Sequence, residues 1–161
     1  VSHGLMTALF FAVIGIIYER THTRQVNEMG GLMKVMPFTT TVLFIVGLCS
    51  LGLPGLSGFV AEMTIFMGSW EHTDAFHRVA TIAACMSIVV TAVYILRAVG
   101  QTAMGPLKAG YESLSDASWN EKLAAVILII GIIAIGFAPF WLNDLVSPGA
   151  ELIMQKLSGS K

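Results

Sequence analysis

The stretch GLPGLSGFVAE, residues 52–62, decides how this chain folds. It places three glycines and a proline among mainly apolar residues and ends in an acid, Glu62. Proline removes a backbone N–H donor and glycine adopts dihedral angles that other residues avoid, so the stretch predicts an interruption between two helices. No charged side chain occurs from Val35 to Ala61, and mainly apolar residues continue to Trp70. The interruption and the acid therefore lie inside an apolar region.

The composition of the whole chain is that of a membrane protein. Hydrophobic residues make up 55% of the 161 residues, charged residues only 12%, and the mean hydropathy is +0.78. These values exclude an ordinary soluble domain. A crossing needs roughly 20 mainly apolar residues, and the apolar segments predict a single, all-α transmembrane domain over residues 1–161. We expect about five transmembrane helices, at residues 1–18, 37–53, 54–70, 79–100 and 123–142. Because the first residue is Val and no basic flank precedes the first helix, we also expect a fragment of a longer chain.

Glu62 is the first candidate functional residue. If Pro54–Trp70 is one helix, Glu62 lies near its middle and so near the centre of the membrane. An ionised acid at that depth costs roughly 2.5–3.5 kcal/mol on insertion scales, so such acids usually face protein or water and carry a function. The position predicts a group that binds and releases a proton as its surroundings change. The alternative is a neutral or paired acid that only fixes the packing.

The helix break itself has two interpretations. Backbone groups that a break frees are tolerated at this depth only where protein or water satisfies them, and transporters use such interrupted helices to bind ions. The alternative is a tight helical hairpin in which the small residues serve close packing alone. The residues of the predicted break are Gly52, Pro54, Gly55 and Gly58.

His3 is the second titratable side chain within a predicted crossing, and its ordinary pKa suits a proton relay. The alternative is a neutral histidine that bonds a helix carbonyl. Helical rise places His3 about 10 Å from Glu62 in height, so a transfer between them needs water or polar side chains. Hydroxyl residues that line such a path, or that bond their own helices instead, are Thr7, Ser57, Thr64 and Thr91.

The remaining polar features suggest surface contacts rather than a cofactor site. The loop after the first helix is either solvated or a docking surface for a partner subunit, and its candidate residues are Glu19, Arg20, His22 and Arg24. Cys49 and Cys85 fall in predicted crossings, where small apolar thiols are common, so we predict no disulfide, metal or redox site. The sequence contains no nucleotide-binding loop or haem motif, and we expect no cofactor in this chain and no nucleic-acid partner.

Four stretches carry a family resemblance. They are SHGLMTALFFAVIGIIYERTHTR (2–24), GGLMKVMP (30–37), SLGLPGLSGFVAE (50–62) and YILRAVGQTAMGP (94–106). Together they resemble the C-terminal part of the NuoM-type (chain M) antiporter-like subunit of respiratory complex I, the NADH:quinone oxidoreductase. The resemblance extends over residues 2–142, and the first stretch is its most specific element. The related L-type and N-type subunits carry Lys where this chain has Glu62.

The resemblance implies a fold of two inverted repeats, each with a discontinuous helix, of which this chain holds most of the second. It also implies proton translocation along a buried polar axis that includes Glu62 and His3. Expected partners are lipid, neighbouring antiporter-like subunits, protons and water, whereas NADH, flavin, iron–sulfur clusters and quinone belong to other subunits. The expected location is a bacterial inner membrane or an organellar energy-converting membrane. The alternatives are a subunit of a multi-subunit Na⁺/H⁺ antiporter or membrane-bound hydrogenase, and a membrane scaffold that transports nothing.

Overall fold

A computed structural model describes residues 1–159, and this part of the chain is helical without any strand. The predicted all-α class is therefore confirmed, and residues 160 and 161 of the predicted domain lie outside the described residues. Two short 3-10 turns, Val26–Glu28 and Leu32–Lys34, occupy the loop after the first helix. The six helices are α1 (Ser2–Thr21), α2 (Pro37–Ser50), α3 (Ser57–Trp70), α4 (Ala75–Ala103), α5 (Trp119–Phe137) and α6 (Phe140–Ser158).

Only some of these helices can cross a membrane alone. Helices α1, α4 and α5 are long and apolar enough to do so. Helices α2 and α3 contain 14 residues each, which corresponds to about 21 Å of helix. The hydrocarbon core of a bilayer is about 30 Å thick. Each of the two short helices is therefore only part of a crossing.

Helices α2 and α3 lie one after the other along α4, which runs antiparallel to both. At the end of α3, the Thr81 hydroxyl of α4 donates to the Ser69 hydroxyl at 2.8 Å. Further along α4, the Val99 side chain packs against Gly47 near the end of α2. With 29 residues, or about 43 Å, α4 is long enough to pass both.

This arrangement corrects the prediction of two separate crossings at 37–53 and 54–70. Residues 51–56 interrupt the helix but do not reverse the chain, so α2 and α3 together make one interrupted crossing. As a result, the loops lie at different ends of the helices from those that two separate crossings would give them. The segments 22–36 and 104–118 meet at one end, where the Gly31 N–H donates to the Met104 carbonyl at 2.8 Å, and the turn at 71–74 lies at the other end.

Helices α1 and α5 pack antiparallel to each other and bring their ends to the interruption. At the loop end, Arg20 of α1 pairs with Glu121 of α5. At the other end, the Ser2 hydroxyl of α1 donates to the Ser57 hydroxyl at the start of α3, at 2.9 Å. Helix α5 packs mainly against α1 and α3 and ends where Gly136 abuts the backbone of the interruption. The break is therefore enclosed by the start of α1 and the end of α5.

Local signals explain where the helices begin and end. Pro37 stands in the first turn of α2, where its missing N–H costs nothing. The Asp74 side chain caps α4 and starts it four residues before the predicted 79, while a capping box at Ser118 starts α5 four residues before the predicted 123. The predicted helix 123–142 is split, because α5 ends at Phe137 and Pro139 caps the separate helix α6.

The buried core lies where α1, α2, α4 and α5 meet. Most of its side chains are apolar, and Met29, Leu32 and Met36 of the loop 22–36 join it, so apolar packing holds the helices and this loop together. The largest hydrophobic side chains that are completely buried are Leu9, Leu32, Met36 and Ile132.

Candidate functional site

The interruption between α2 and α3 depends on two glycines in left-handed conformations. Gly52 has φ 63° and Gly55 has φ 93°, values that other residues rarely adopt. The chain keeps partial hydrogen bonding through the gap, since the Gly52 N–H donates to the Cys49 carbonyl at 3.1 Å. Helix α3 then begins at Ser57 without a side-chain cap. The N–H groups of its first turn point toward the break, and that of Phe59 donates to the Leu56 carbonyl at 3.2 Å.

The carboxyl group of Glu62 lies against Gly52. A Cβ atom placed on Gly52 would come within 2.8 Å of the Glu62 Cδ atom and closer still to Oε2. Side chains in a helix point toward its N-terminus, so a residue in the second turn of α3 reaches back over the first turn. The acid and the interruption, which are ten positions apart in sequence, thus form one site. Glu62 is partly buried there.

Glu62 also lies near the middle of the longest helix. Ser69 is opposite Thr81, and antiparallel helices advance equally per residue, so Glu62 is level with Ile88. Ile88 is close to the midpoint of Ala75–Ala103. The carboxyl group is therefore about halfway through the interrupted crossing.

Ser57 anchors the start of α3. Its side chain is completely buried, accepts the hydrogen bond from Ser2, and lies 3.8 Å from the Cys49 sulfur. The single hydroxyl joins the beginnings of α1 and α3 to the end of α2. Ser57 was predicted to line a path, and the structure gives it a contact between helices at the break.

Small residues allow the backbones to approach at the break. A Cβ on Gly58 would overlap the Cys49 carbonyl, and a Cβ on Gly136 would lie 2.7 Å from the Leu56 Cα. Gly136 was not predicted as part of the site. Its position at the end of a long apolar run gives no local signal, because its role depends on the packing of α5 against the break.

His3 lies close to the break but does not contact Glu62. Its neighbour Ser2 bonds Ser57, so the first turn of α1 is level with the first turn of α3. The His3 ring is exposed and lies 3.5 Å from the Thr7 hydroxyl. Within residues 1–159, no side-chain hydrogen bond joins His3 to Glu62. A relay between the two stays a prediction.

The other two hydroxyl residues of the predicted path bond their own helices. The Thr64 hydroxyl donates to the Val60 carbonyl at 2.7 Å, and the Thr91 hydroxyl donates to the Ser87 carbonyl at 3.1 Å. This is the alternative that was left open for them. Each hydroxyl oxygen still has lone pairs that can accept a further hydrogen bond.

Of the four predicted docking residues, Arg20 is engaged within the chain. Its guanidinium makes a two-pronged ion pair with Glu121, at 2.6 and 3.1 Å, and also donates to the Ser115 carbonyl at 3.2 Å. Glu19, His22 and Arg24 are exposed, and the Arg24 guanidinium stacks over the Tyr18 ring. Docking through these residues stays a prediction.

Sequence analysis missed Asp116, which holds the loop 104–118 on the start of α2. Its carboxylate accepts from the backbone N–H groups of Phe38 and Thr39, at 2.7 and 3.1 Å, and from the Thr39 hydroxyl at 2.6 Å. Burial raises the pKa of Asp116, but these hydrogen bonds and one from Ala117 outweigh it, so the pKa is lower than its ordinary value. The contact spans 77 residues, so no local pattern reveals it.

The break and Glu62 lie in the part of the chain that matches a known family. The profile described as "NADH:quinone oxidoreductase/Mrp antiporter, TM" matches residues 1–87, which is more than half of the 161 residues. The chain belongs to this family. With its apolar helices, it is an integral membrane protein.

Relatives of the family in cyanobacteria align with most of this chain. An NAD(P)H-quinone oxidoreductase chain 4 of Synechococcus elongatus is 37% identical over 142 residues, which is 86% of this chain and 26% of that protein. A second chain 4 protein, from a Synechococcus strain, is 36% identical over 169 residues, or 98% of this chain and 31% of that protein. The chain thus spans about a quarter to a third of the length of these relatives.

Two solved structures contain the same fold. Respiratory complex I from Thermus thermophilus with bound NADH matches 87% of this chain and 28% of its own chain, with a TM-score of 0.77 and 26% identity. The membrane-bound sulfane sulfur reductase, an archaeal respiratory membrane complex, matches 86% of this chain and 22% of its own, with the same TM-score and identity. The antiporter-like fold of membrane respiratory subunits is therefore the fold of this chain.

Proposed function

We propose that this chain is part of a subunit that moves protons across the membrane in an NAD(P)H- or NADH:quinone oxidoreductase, with Glu62 as the group that binds and releases the proton. The observation that carries the proposal is the contact between the Glu62 carboxyl group and Gly52 at the interrupted helix. A scaffold needs neither an acid nor a break at the centre of a crossing, whereas ion-moving helices use both.

The surroundings of Glu62 suit a group that changes protonation state. The positive end of the α3 helix dipole favours a negative charge beside the break. The adjacent apolar side chains disfavour that charge when water is excluded. A small movement of the two half-helices changes the balance between these effects. Loading and release then follow from hydration of the break.

His3 serves in this proposal as a relay to Glu62. Its ring lies at the start of α1, level with Ser57, and bonds Thr7. Glu62 is five residues further along α3 than Ser57, or about 8 Å, and its side chain turns back toward Gly52. In this proposal, water molecules bridge the two side chains.

The driving reaction belongs to other subunits in this proposal. NADH, flavin, iron–sulfur clusters and quinone are assigned to partner subunits. Its partners are neighbouring antiporter-like subunits, lipid, water and protons. The cyanobacterial relatives support a bacterial or organellar energy-converting membrane as its location. Because those relatives are named as quinone oxidoreductases, the antiporter and hydrogenase alternatives are not favoured.

The experiment is the variant Glu62→Gln in the full assembled complex. Gln keeps the shape and the contact with Gly52 but cannot exchange a proton. We expect the rate of proton translocation during NADH oxidation to fall by roughly a hundredfold, the scale of losing a positioned proton-transfer group, while the amount of assembled complex stays the same. Glu71→Gln, which removes an exposed acid beyond the end of α3, is the matched control and should pump normally. Normal pumping by Glu62→Gln would instead support a scaffold.

A further inference from the structure

A second cluster of titratable side chains lies outside the proposed proton site, at the turn between α3 and α4. His72, Asp74 and His77 each offer one metal-ligating atom, and these three atoms lie within 4.8 Å of one another. Sequence analysis predicted no metal site and did not single out this turn. The signal was the spacing His-x-Asp-x-x-His across the start of a helix.

Hydrogen bonds hold two of the three side chains together. Asp74 is the N-cap of α4 and accepts from the His77 backbone N–H at 3.2 Å, which places the His77 ring one turn away. Both Asp74 carboxylate oxygens lie 2.7 Å from the His77 Nδ1 atom. The His72 ring stacks on the His77 ring, with centroids 4.3 Å apart. Three donors therefore converge on one small volume.

The cluster is accessible to ions from water. His72 and Asp74 are exposed, and His77 is partly exposed. On the same turn the Arg78 guanidinium stacks over the Trp70 ring at 5.8 Å. Amphipathic side chains such as tryptophan and arginine are typical of the membrane–water boundary. The turn therefore lies at the aqueous end of the α3–α4 pair.

The donor set indicates the class of ion. Two imidazole nitrogens and one carboxylate oxygen suit zinc and similar divalent transition metals, whereas magnesium and calcium prefer oxygen ligands alone. A zinc ion needs its ligand atoms about 3.4 Å apart, as follows from tetrahedral geometry and bonds of about 2.0–2.1 Å. The ligand atoms are now separated by 2.7 Å at the Asp74–His77 pair and by at most 4.8 Å overall. Small rotations of these exposed side chains bring the separations to the distance that zinc needs.

We propose that His72, Asp74 and His77 bind a divalent transition metal ion of the zinc class, with water completing its coordination. The site is independent of the proton site, since its ligands lie beyond the end of α3. Three protein ligands and an open coordination position at the surface are typical of a site that binds its metal ion reversibly, whereas structural sites have four protein ligands.

The test measures zinc binding residue by residue in the full, EDTA-treated complex. Diethylpyrocarbonate modifies histidine nitrogens that have a free lone pair, and mass spectrometry reports each histidine separately. Zinc chloride should slow modification of His72 and His77 by roughly tenfold, because a nitrogen bound to a metal cannot react. His22 lies at the opposite end of the helices, outside the cluster, and is the internal control: its rate of modification should not depend on zinc.

Two variants separate metal binding from ordinary helix capping. Asp74→Asn keeps a good N-cap but loses the carboxylate, so the zinc concentration that protects His77 should rise by roughly tenfold or more, the scale of losing a ligand-shell group. Glu71→Gln removes a neighbouring acid that is not in the cluster and should leave protection unchanged. The proposal is overturned if zinc protects His22 equally, if it protects neither His72 nor His77, or if Asp74→Asn binds zinc as the unsubstituted chain does. Proton translocation enters none of these readouts, so this proposal and the proposed function fail separately.

Discussion

Replacing Gly52 with Ala tests whether the fit between the helix break and Glu62 matters for proton movement. The substitution has two consequences. First, Gly52 has φ 63°, and a left-handed conformation costs a residue with a Cβ about 1–2 kcal/mol. Second, the new Cβ would lie 2.8 Å from the Glu62 Cδ atom, whereas ordinary contacts begin at 3.4 Å. The carboxyl group must therefore move by about 0.6 Å or more.

The size of the effect follows from that displacement. Misplacing a reacting group by about 1 Å can reduce a rate by roughly a hundredfold. We therefore expect the rate of proton translocation during NADH oxidation to fall by at least roughly tenfold in Gly52→Ala. The assay is the rate of proton pumping by the assembled complex in sealed vesicles, together with the amount of complex that assembles.

A matched control separates strain from contact. Gly110 also has a positive φ, 92°, but nothing lies within 4 Å of a Cβ at that position. Gly110→Ala therefore introduces backbone strain without touching Glu62, and it should assemble and pump normally. The reasoning is refuted if Gly52→Ala pumps as well as the unsubstituted complex, or if Gly110→Ala loses pumping to the same extent.

Three further predictions concern the contacts that position the site. Arg20→Lys loses the two-pronged pair with Glu121 and should lower the free energy of unfolding by about 1–3 kcal/mol, seen as a lower Tm of the complex; an unchanged Tm would contradict this. Folding lowers the pKa of Asp116, so its carboxylate stabilises the fold above the unfolded-state pKa of about 3.9, and this stability is lost as pH falls through the lower folded-state pKa. Tm should therefore fall in that acid window more steeply in the unsubstituted complex than in Asp116→Asn, and parallel curves would be the contrary result. Ser57→Ala removes the acceptor of the Ser2 hydrogen bond and should lower the free energy of unfolding by about 0.5–1.5 kcal/mol. Heat inactivation of the complex should then occur at a lower temperature, and an unchanged temperature would show that the bond contributes no stability.

The features that could be predicted from the sequence are those with local causes. Pro37 predicts where the interrupted crossing begins, and the apolar run that ends at Trp70 predicts where it ends. Gly52 and Pro54 predict where the interruption lies. The contact of Glu62 with the break also follows from a local rule, because helical side chains point back toward the N-terminus. Both parts of the site therefore have causes that lie within a few turns of helix.

The features that could not be predicted depend on packing between distant segments. A Leu-Pro-Gly sequence is compatible with a hairpin or with a continued path, and only the long antiparallel α4 shows that the chain continues. Asp116 and Gly136 each act on a residue roughly 80 positions away, and neither stands in a pattern. The ion pair of Arg20 with Glu121 likewise spans 101 positions, so the sequence suggested an external partner instead.

The most direct test of the account follows the proton on Glu62 itself. Infrared difference spectra of the full complex, recorded between its resting and turning-over states, report carboxyl groups that gain or lose a proton through the C=O stretch of the protonated form. The account predicts such a band in the unsubstituted complex and its loss in Glu62→Gln, with the other carboxyl bands unchanged. A difference spectrum that is identical in the two proteins would show that Glu62 keeps one protonation state throughout, and would contradict the account.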